Sequence, residues 1–216
     1  MEKIVKALTA AMEVWDPFTA QHQKRVNQLA MEIAREMNLS EKSKKMLNYA
    51  SLLHDIGKIN LPLELLSKPG TLADSELNLI KRHSEIGFEI LKKIEFPPEI
   101  CQIVLQHHEK MNGKGYPRGL TGSEILLEAR ILMVANTVEA IASNRPYRPV
   151  IGLGEALNEV EQNIGGKYDN AVVDACLRIF RQGEFELDEL IIPTYDDPDR
   201  SDLMFHFKDN YETDIS

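Results

Sequence analysis

Apolar residues recur every three to four positions through most of the first 183 residues, and each run ends at a proline, a glycine or a capping side chain. Ile4, Val5, Leu8, Ala11, Met12 and Trp15 form one stripe of an amphipathic helix, which Asp16-Pro17 closes. A second helix from about Thr19 places His22, Val26, Leu29, Ala30 and Ile33 on one face. Ser40 caps a third, in which Ser43, Met46, Leu47, Ala50, Leu53 and His54 share a side until Gly57 stops it. Beyond a Pro- and Gly-punctuated connection, a helix capped by Asp74 presents Leu77, Ile80, His83, Gly87, Ile90 and Ile94. Pro97 and Pro98 open the next, with Ile100, Ile103, Val104, His107 and His108 inward. Residues 109–122, with four glycines and Pro117, form a tightly turned loop. From Ile125 a helix carries Ala129, Leu132, Met133, Asn136 and Ala140 on its buried stripe, and two more follow over about 154–164 and 169–180. The pattern predicts an all-α domain over residues 1–183, a bundle of about seven helices without internal repeats.

The remaining residues, 184–216, differ in character. They hold eleven acidic side chains against Arg200 and Lys208, so the formal charge of −9 lies there and the first 183 residues are neutral. Two short apolar runs, 190–192 and 203–207, form a small β-hairpin in this acidic C-terminal extension or are simply disordered. A neutral body offers no footprint for duplex nucleic acid. No run is long enough to span a membrane, and the acid-containing amphipathic N-terminus is no signal peptide, so a cytoplasmic location is expected. Cys101 and Cys176 fall in apolar helical patterns and read as reduced core residues.

The chemistry follows from polar residues on apolar faces. Five of six histidines (His22, His54, His83, His107, His108), with Asp55 and Asn136, take inward positions on five predicted helices. Each alone is as well explained by a hydrogen-bonded core residue; together they would need a partner each, whereas a metal centre satisfies them jointly. Imidazole and carboxylate donors suit iron, manganese or zinc, and such a centre activates water for hydrolysis. Lys58, Arg145 and Arg148 are cations placed to hold phosphate oxygens.

His54-Asp55 within LLHDIGK, His83, His107-His108-Glu109, Gly115-Tyr116-Pro117 and Arg145-Pro146-Tyr147-Arg148 stand in an order and spacing that resemble the HD-GYP subfamily of the HD-domain metal-dependent phosphohydrolases. The resemblance covers about residues 16–180. It implies an HD-domain helical bundle that hydrolyses cyclic di-GMP to pGpG or GMP in bacterial signalling, using two divalent transition metal ions, iron or manganese ahead of zinc. By the same resemblance His22, His54 and Asp55 serve one ion, and Asp55 bridges to a second held by His83, His107 and His108. Asp55 and Lys58 are then the catalytic pair, Lys58, Arg145 and Arg148 meet the substrate's phosphates, and Tyr116 and Pro117 shape the site and meet protein partners.

Two departures from the family pattern stand out. Asn136 occupies the place of an aspartate ligand, which removes a negative charge from the first ion's surroundings; Glu139 keeps its charge with a longer reach. Phe18 stands where three-metal members carry a glutamate, so no third ion is expected. A degenerate relative that binds a nucleotide as a sensor or scaffold is therefore the alternative, with a phosphohydrolase for another nucleotide as a third reading. No receiver, PAS or membrane sensor segment is recognised in these residues, so either regulation comes from outside or the chain is part of a system of separate chains. Leu8, Met12 and Trp15 offer a homodimer contact if the first helix exposes them.

Overall fold

The computed structural model describes residues 1–68, 70–143, 152–183 and 185. Among these the chain is helical throughout, with no strand beyond two isolated bridges, as the all-α pattern predicts. In order, the helices are α1 (Glu2–Trp15), α2 (Pro17–Glu36), α3 (Glu41–Leu53), α4 (Leu63–Leu66), α5 (Asp74–Lys81), α6 (His83–Lys93), α7 (Pro98–Gln106), α8 (Leu127–Ala142), α9 (Leu153–Gln162) and α10 (Asn170–Gln182). Two 3-10 turns, Ile56–Asn60 and Gly122–Glu124, lie between them.

The helix starts have local causes. Pro17 takes the first position of α2 while the Asp16 carboxylate accepts from the backbone N–H of Phe18 and Thr19. Ser40 caps α3 by accepting from Ser43 N–H, and Asp169 caps α10 through Ala171 and Val172. Gly183, at φ 69°, ends α10 in the left-handed conformation that suits glycine. The expected cap at Asp74 is displaced by one residue: Ala73 takes that position, and the Glu76 carboxylate reaches back to its N–H.

α2 lies at the centre, packed on α3 and α8, with α1 across α2 and α3 and α7 behind α3. Leu29, Ile33, Leu47, Leu53, Ile100 and Leu132 are fully buried at this crossing. Cys101 and Cys176 are buried free thiols, as expected. Met12 is also fully buried, and Leu8 and Trp15 pack against the core, so that stripe is not a free face for a second copy. The contact points inward because α1 needs it to dock on α2.

Two elements differ from the sequence reading. The helix expected to run from Asp74 through Ile94 breaks at Arg82, separating α5 from α6, and Leu77 and Ile94 are exposed rather than inward. α5 buries no residue and rests mainly on α6, so its periodicity has no core to face. The helix expected to reach Gly57 instead stops at Leu53, and the chain tightens into the 3-10 turn. The C-terminal extension, with its expected hairpin, lies outside the described residues apart from Phe185, whose ring packs edge-on to Phe180.

Candidate metal centre

His54, His83 and His107 all sit at helix ends: His54 follows α3, His83 opens α6 and His107 follows α7. Each ring turns back three residues and hydrogen-bonds through Nδ1 to a backbone carbonyl, of Ser51 at 2.7 Å, Ile80 at 2.7 Å and Val104 at 2.5 Å. A carbonyl accepts only, so each Nδ1 carries the proton and each Nε2 is left with a bare lone pair. The helix ends supply the accepting carbonyls, and the rings are oriented in return.

These lone pairs converge. His22, His54 and Asp55 bring one donor atom each within 4.8 Å of one another, and His83, His107 and His108 do the same beside them. Asp55 connects the two groups: its Oδ2 lies 3.8 Å from His22 Nε2 and 3.5 Å from His54 Nε2, while its Oδ1 lies 3.3 Å from His83 Nε2. Lys58 donates to Oδ2 at 2.6 Å.

Two observations show that this donor set fits metal ions. His54 Nε2 is buried without any hydrogen-bond partner among the described residues. His83 Nε2 and His107 Nε2 face each other at 3.2 Å with both Nδ1 protons already committed, so two lone pairs oppose. A cation satisfies both arrangements at once, and neutral imidazoles with an ionised carboxylate are the protonation states it requires.

The electrostatics produce those states. Burial drives the His54 imidazolium pKa down to about 4, outweighing the attraction of Asp55. Burial, against the pull of Asp55, also lowers His83. His107 and His108 fall well below the ordinary range, from burial and then from the neighbouring imidazoles. For Asp55 burial opposes ionisation, but Lys58, His54, His83 and His22 together hold its carboxyl well below the usual range.

The metal-free protein should lose stability in mild acid. Between about pH 6.5 and 4 the folded state holds His54 neutral while the unfolded chain protonates it, so stability falls as the pH falls through that window. His54 alone contributes about 3 kcal/mol of this loss, and the other depressed histidines add to it. Denaturant unfolding across this range reads the slope, and a flat profile would contradict the burial of neutral rings.

The loop over residues 109–122 covers the second group. Tyr116 stacks on His108, with ring centroids 4.6 Å apart and planes inclined by 24°, and its backbone N–H donates to the His108 carbonyl at 3.2 Å. Lys81 Nζ lies 5.7 Å from the Tyr116 ring centre, and burial pushes the phenol pKa above its ordinary value. Pro117 follows through a cis peptide bond. The loop is held from within by Glu109, whose fully buried carboxylate accepts from Arg118 N–H at 2.7 Å and Leu120 N–H at 2.9 Å. Glu109→Ala is expected to cost about 2 kcal/mol and to expose the loop to proteolysis, measured by unfolding and limited digestion; an unchanged digestion pattern would show that the loop needs no such anchor.

Asn136 is half-buried on α8, and its side chain makes no hydrogen bond with another described residue. One turn later Glu139 is buried against α2. It pairs with His22 Nδ1 through Oε2 and takes Arg25 and Ser143 on Oε1, at 2.6 and 2.8 Å. Burial would raise its pKa, yet His22, Arg25 and Ser143 bring it down to about 2. Sequence reasoning credited Glu139 with a charge and nothing more, and gave Glu109 and Arg25 no role. The only signal for Glu139 was a charged residue on an otherwise apolar helix face. Arg145 and Arg148 lie outside the described residues.

Among the described residues no helix is long and apolar enough to cross a membrane. The HD domain family matches residues 7–172. A cyclic di-GMP phosphodiesterase of Thermotoga maritima is 38% identical over 182 residues, covering 83% of this chain and 50% of that protein. A 3'3'-cGAMP-specific phosphodiesterase of Vibrio cholerae is 35% identical over 180 residues, covering 83% and 42%. The chain thus spans about half the length of the curated relatives it matches. An HD-GYP-type protein of Bdellovibrio bacteriovorus has the same fold, with a TM-score of 0.62 at 24% identity over 74% of this chain and 51% of that one. With the HD pair, the second histidine group and the Tyr116 loop in one fold, the chain belongs to the HD-domain metal-dependent phosphohydrolases, in their HD-GYP branch.

Proposed function

We propose that this chain is a cyclic-dinucleotide phosphodiesterase working at a two-metal centre. The observation that carries this reading is the convergence of two donor groups on the two oxygens of Asp55, with the buried His54 Nε2 left without a hydrogen-bond partner among the described residues and the His83 and His107 lone pairs opposed. His22, His54 and Asp55 hold one ion, and His83, His107 and His108 hold the other. The mixed imidazole and carboxylate set suits iron or manganese, with zinc a further candidate. Bound divalent ions supply Lewis acidity toward a phosphodiester and ionise water near neutral pH.

The protein's own groups do the rest. Asp55 stands between the two donor groups and stays ionised because Lys58 and the imidazoles favour its charge. Lys58, three residues on and mostly buried, places an ammonium beside the same carboxylate, where it also serves a phosphoryl oxygen. Arg145 and Arg148 add bidentate contacts to the phosphates. Tyr116 and Pro117 wall the second ion's side, and the loop they belong to is a surface for protein partners.

The named relatives act on cyclic di-GMP and 3'3'-cGAMP. We assign cyclic di-GMP as the substrate, with pGpG or GMP as product. Asn136 favours one other reading, a protein that keeps a single ion and binds the nucleotide without cleaving it, since a neutral amide there leaves the first ion less strongly held. Incubating the metal-loaded protein with cyclic di-GMP, 3'3'-cGAMP and cyclic di-AMP, and separating the products, tests the assignment. Linear product from cyclic di-GMP first and fastest is expected. Binding without any cleavage would overturn it in favour of the single-ion reading.

A further inference from the structure

The five histidines of the centre are not held alike. His54, His83 and His107 give their Nδ1 protons to neutral backbone carbonyls, and His108 is held by the Tyr116 stack. Only His22 sets its Nδ1 against a carboxylate, Glu139 Oε2, across the contact between α2 and α8. That carboxylate is 1% exposed, and Arg25 (Nε at 2.7 Å, Nη at 2.6 Å) and the Ser143 hydroxyl, all on Oε1, fix its orientation. Among the described residues Oε2 is therefore left to the imidazole alone.

We infer that Glu139 is a positioning residue that keeps the proton of His22 on Nδ1, so that Nε2 faces the first ion as a lone pair with added electron density. This rests on the two-metal reading above. A carboxylate behind a ligating imidazole raises its donor strength, and losing such a partner typically weakens metal binding about 10- to 100-fold. The arrangement also answers the neutral side chain at Asn136. The negative charge absent from that position stands one turn further along α8 and reaches the ion through the ring of His22.

Glu139→Gln separates this role from a structural one, because of what Arg25 demands. Arg25 is 8% exposed and its guanidinium needs an acceptor, so the glutamine's single carbonyl oxygen goes to it. Its amide NH₂ then faces His22 Nδ1. Two donors cannot share that contact, and the ring proton moves to Nε2, where Asp55 Oδ2 at 3.8 Å draws it further. The variant keeps the volume and loses the lone pair.

The test is nitrogen-15 NMR of labelled histidines in the metal-free protein at alkaline pH, paired with a titration by Mn²⁺ alone. The wild-type His22 ring should keep a proton on Nδ1, and Glu139→Gln should move it to Nε2. Mn²⁺ affinity of the first site should fall at least about tenfold, with the second site unchanged. A wild-type ring with a bare Nδ1 overturns the inference, and needs no variant to fold. So does a Glu139→Gln ring that keeps its Nδ1 proton, or unchanged affinity at both sites. A proton that moves as expected in a protein that binds no Mn²⁺ would overturn the two-metal reading and the metal-binding consequence drawn from it, while the hold of Glu139 on the His22 proton stands.

Discussion

Gly57→Ala should cost the protein about 3 kcal/mol of stability and at least about 10²-fold in turnover. A Cβ at this position would lie 2.0 Å from the carbonyl oxygen of His83 and 2.6 Å from the backbone nitrogen of Gly87. Neither atom is the end of a flexible side chain, so the 3-10 turn and α6 must separate. Gly87 closes the same crossing from the other side, with Gly57 N and the Val104 side chain near its own missing Cβ. The separation strikes the site directly, because Asp55 immediately precedes this turn and His83 begins α6, and their 3.3 Å contact joins the two donor groups. Denaturant unfolding reads the first loss and turnover the second. A Gly57→Ala protein with unchanged stability would mean that the turn can shift without dragging His83, and that the close approach is not what sets the site.

Asp55→Asn is expected to remove activity by at least about 10³-fold, the equivalent of about 4 kcal/mol of transition-state stabilisation. The amide keeps the shape of the side chain but provides one oxygen in place of two anionic ones, so it cannot serve both groups. Lys58 loses its charged partner, which costs a mostly buried pair about 3 kcal/mol in the metal-free protein. Helical content should be unchanged by circular dichroism, because no core contact depends on the second oxygen. The decisive observation is metal content: fewer than two ions per chain is expected. Two tightly held ions in Asp55→Asn would show that the bridging role belongs to another residue.

The fold was legible where a helix buries a whole face. The periodic stripes of α2, α3, α7 and α8 all lead to buried residues, and Asp16-Pro17, Ser40 and Asp169 mark helix starts through side-chain chemistry that sequence reports directly. α5 misled because its apolar spacing is real but its partner surface is slight; periodicity says which residues share a face and nothing about what covers it. Met12 erred in the opposite sense, since a terminal helix can as easily close a core as offer a contact.

The centre was legible as a set of histidines, because buried imidazoles on separate helices need a common explanation. Its geometry was not. That three rings bind the carbonyl three residues before them depends on where each helix ends, and the sequence carried α3 on to Gly57, kept His107 and His108 inside α7, and showed no break before His83. Glu139 and Arg25 are 114 residues apart in the chain and meet only through the packing of α2 on α8, which no local pattern encodes.

Two metal ions and hydrolysis are proposed to share one site. The measurement that tests it most directly is metal content of anaerobically purified protein, with cyclic di-GMP turnover assayed on the same sample. Two ions per chain and linear product are predicted. A single ion or none, with no product even after anaerobic loading with iron or manganese, would contradict the account and leave the chain as a nucleotide-binding relative of the enzymes it resembles.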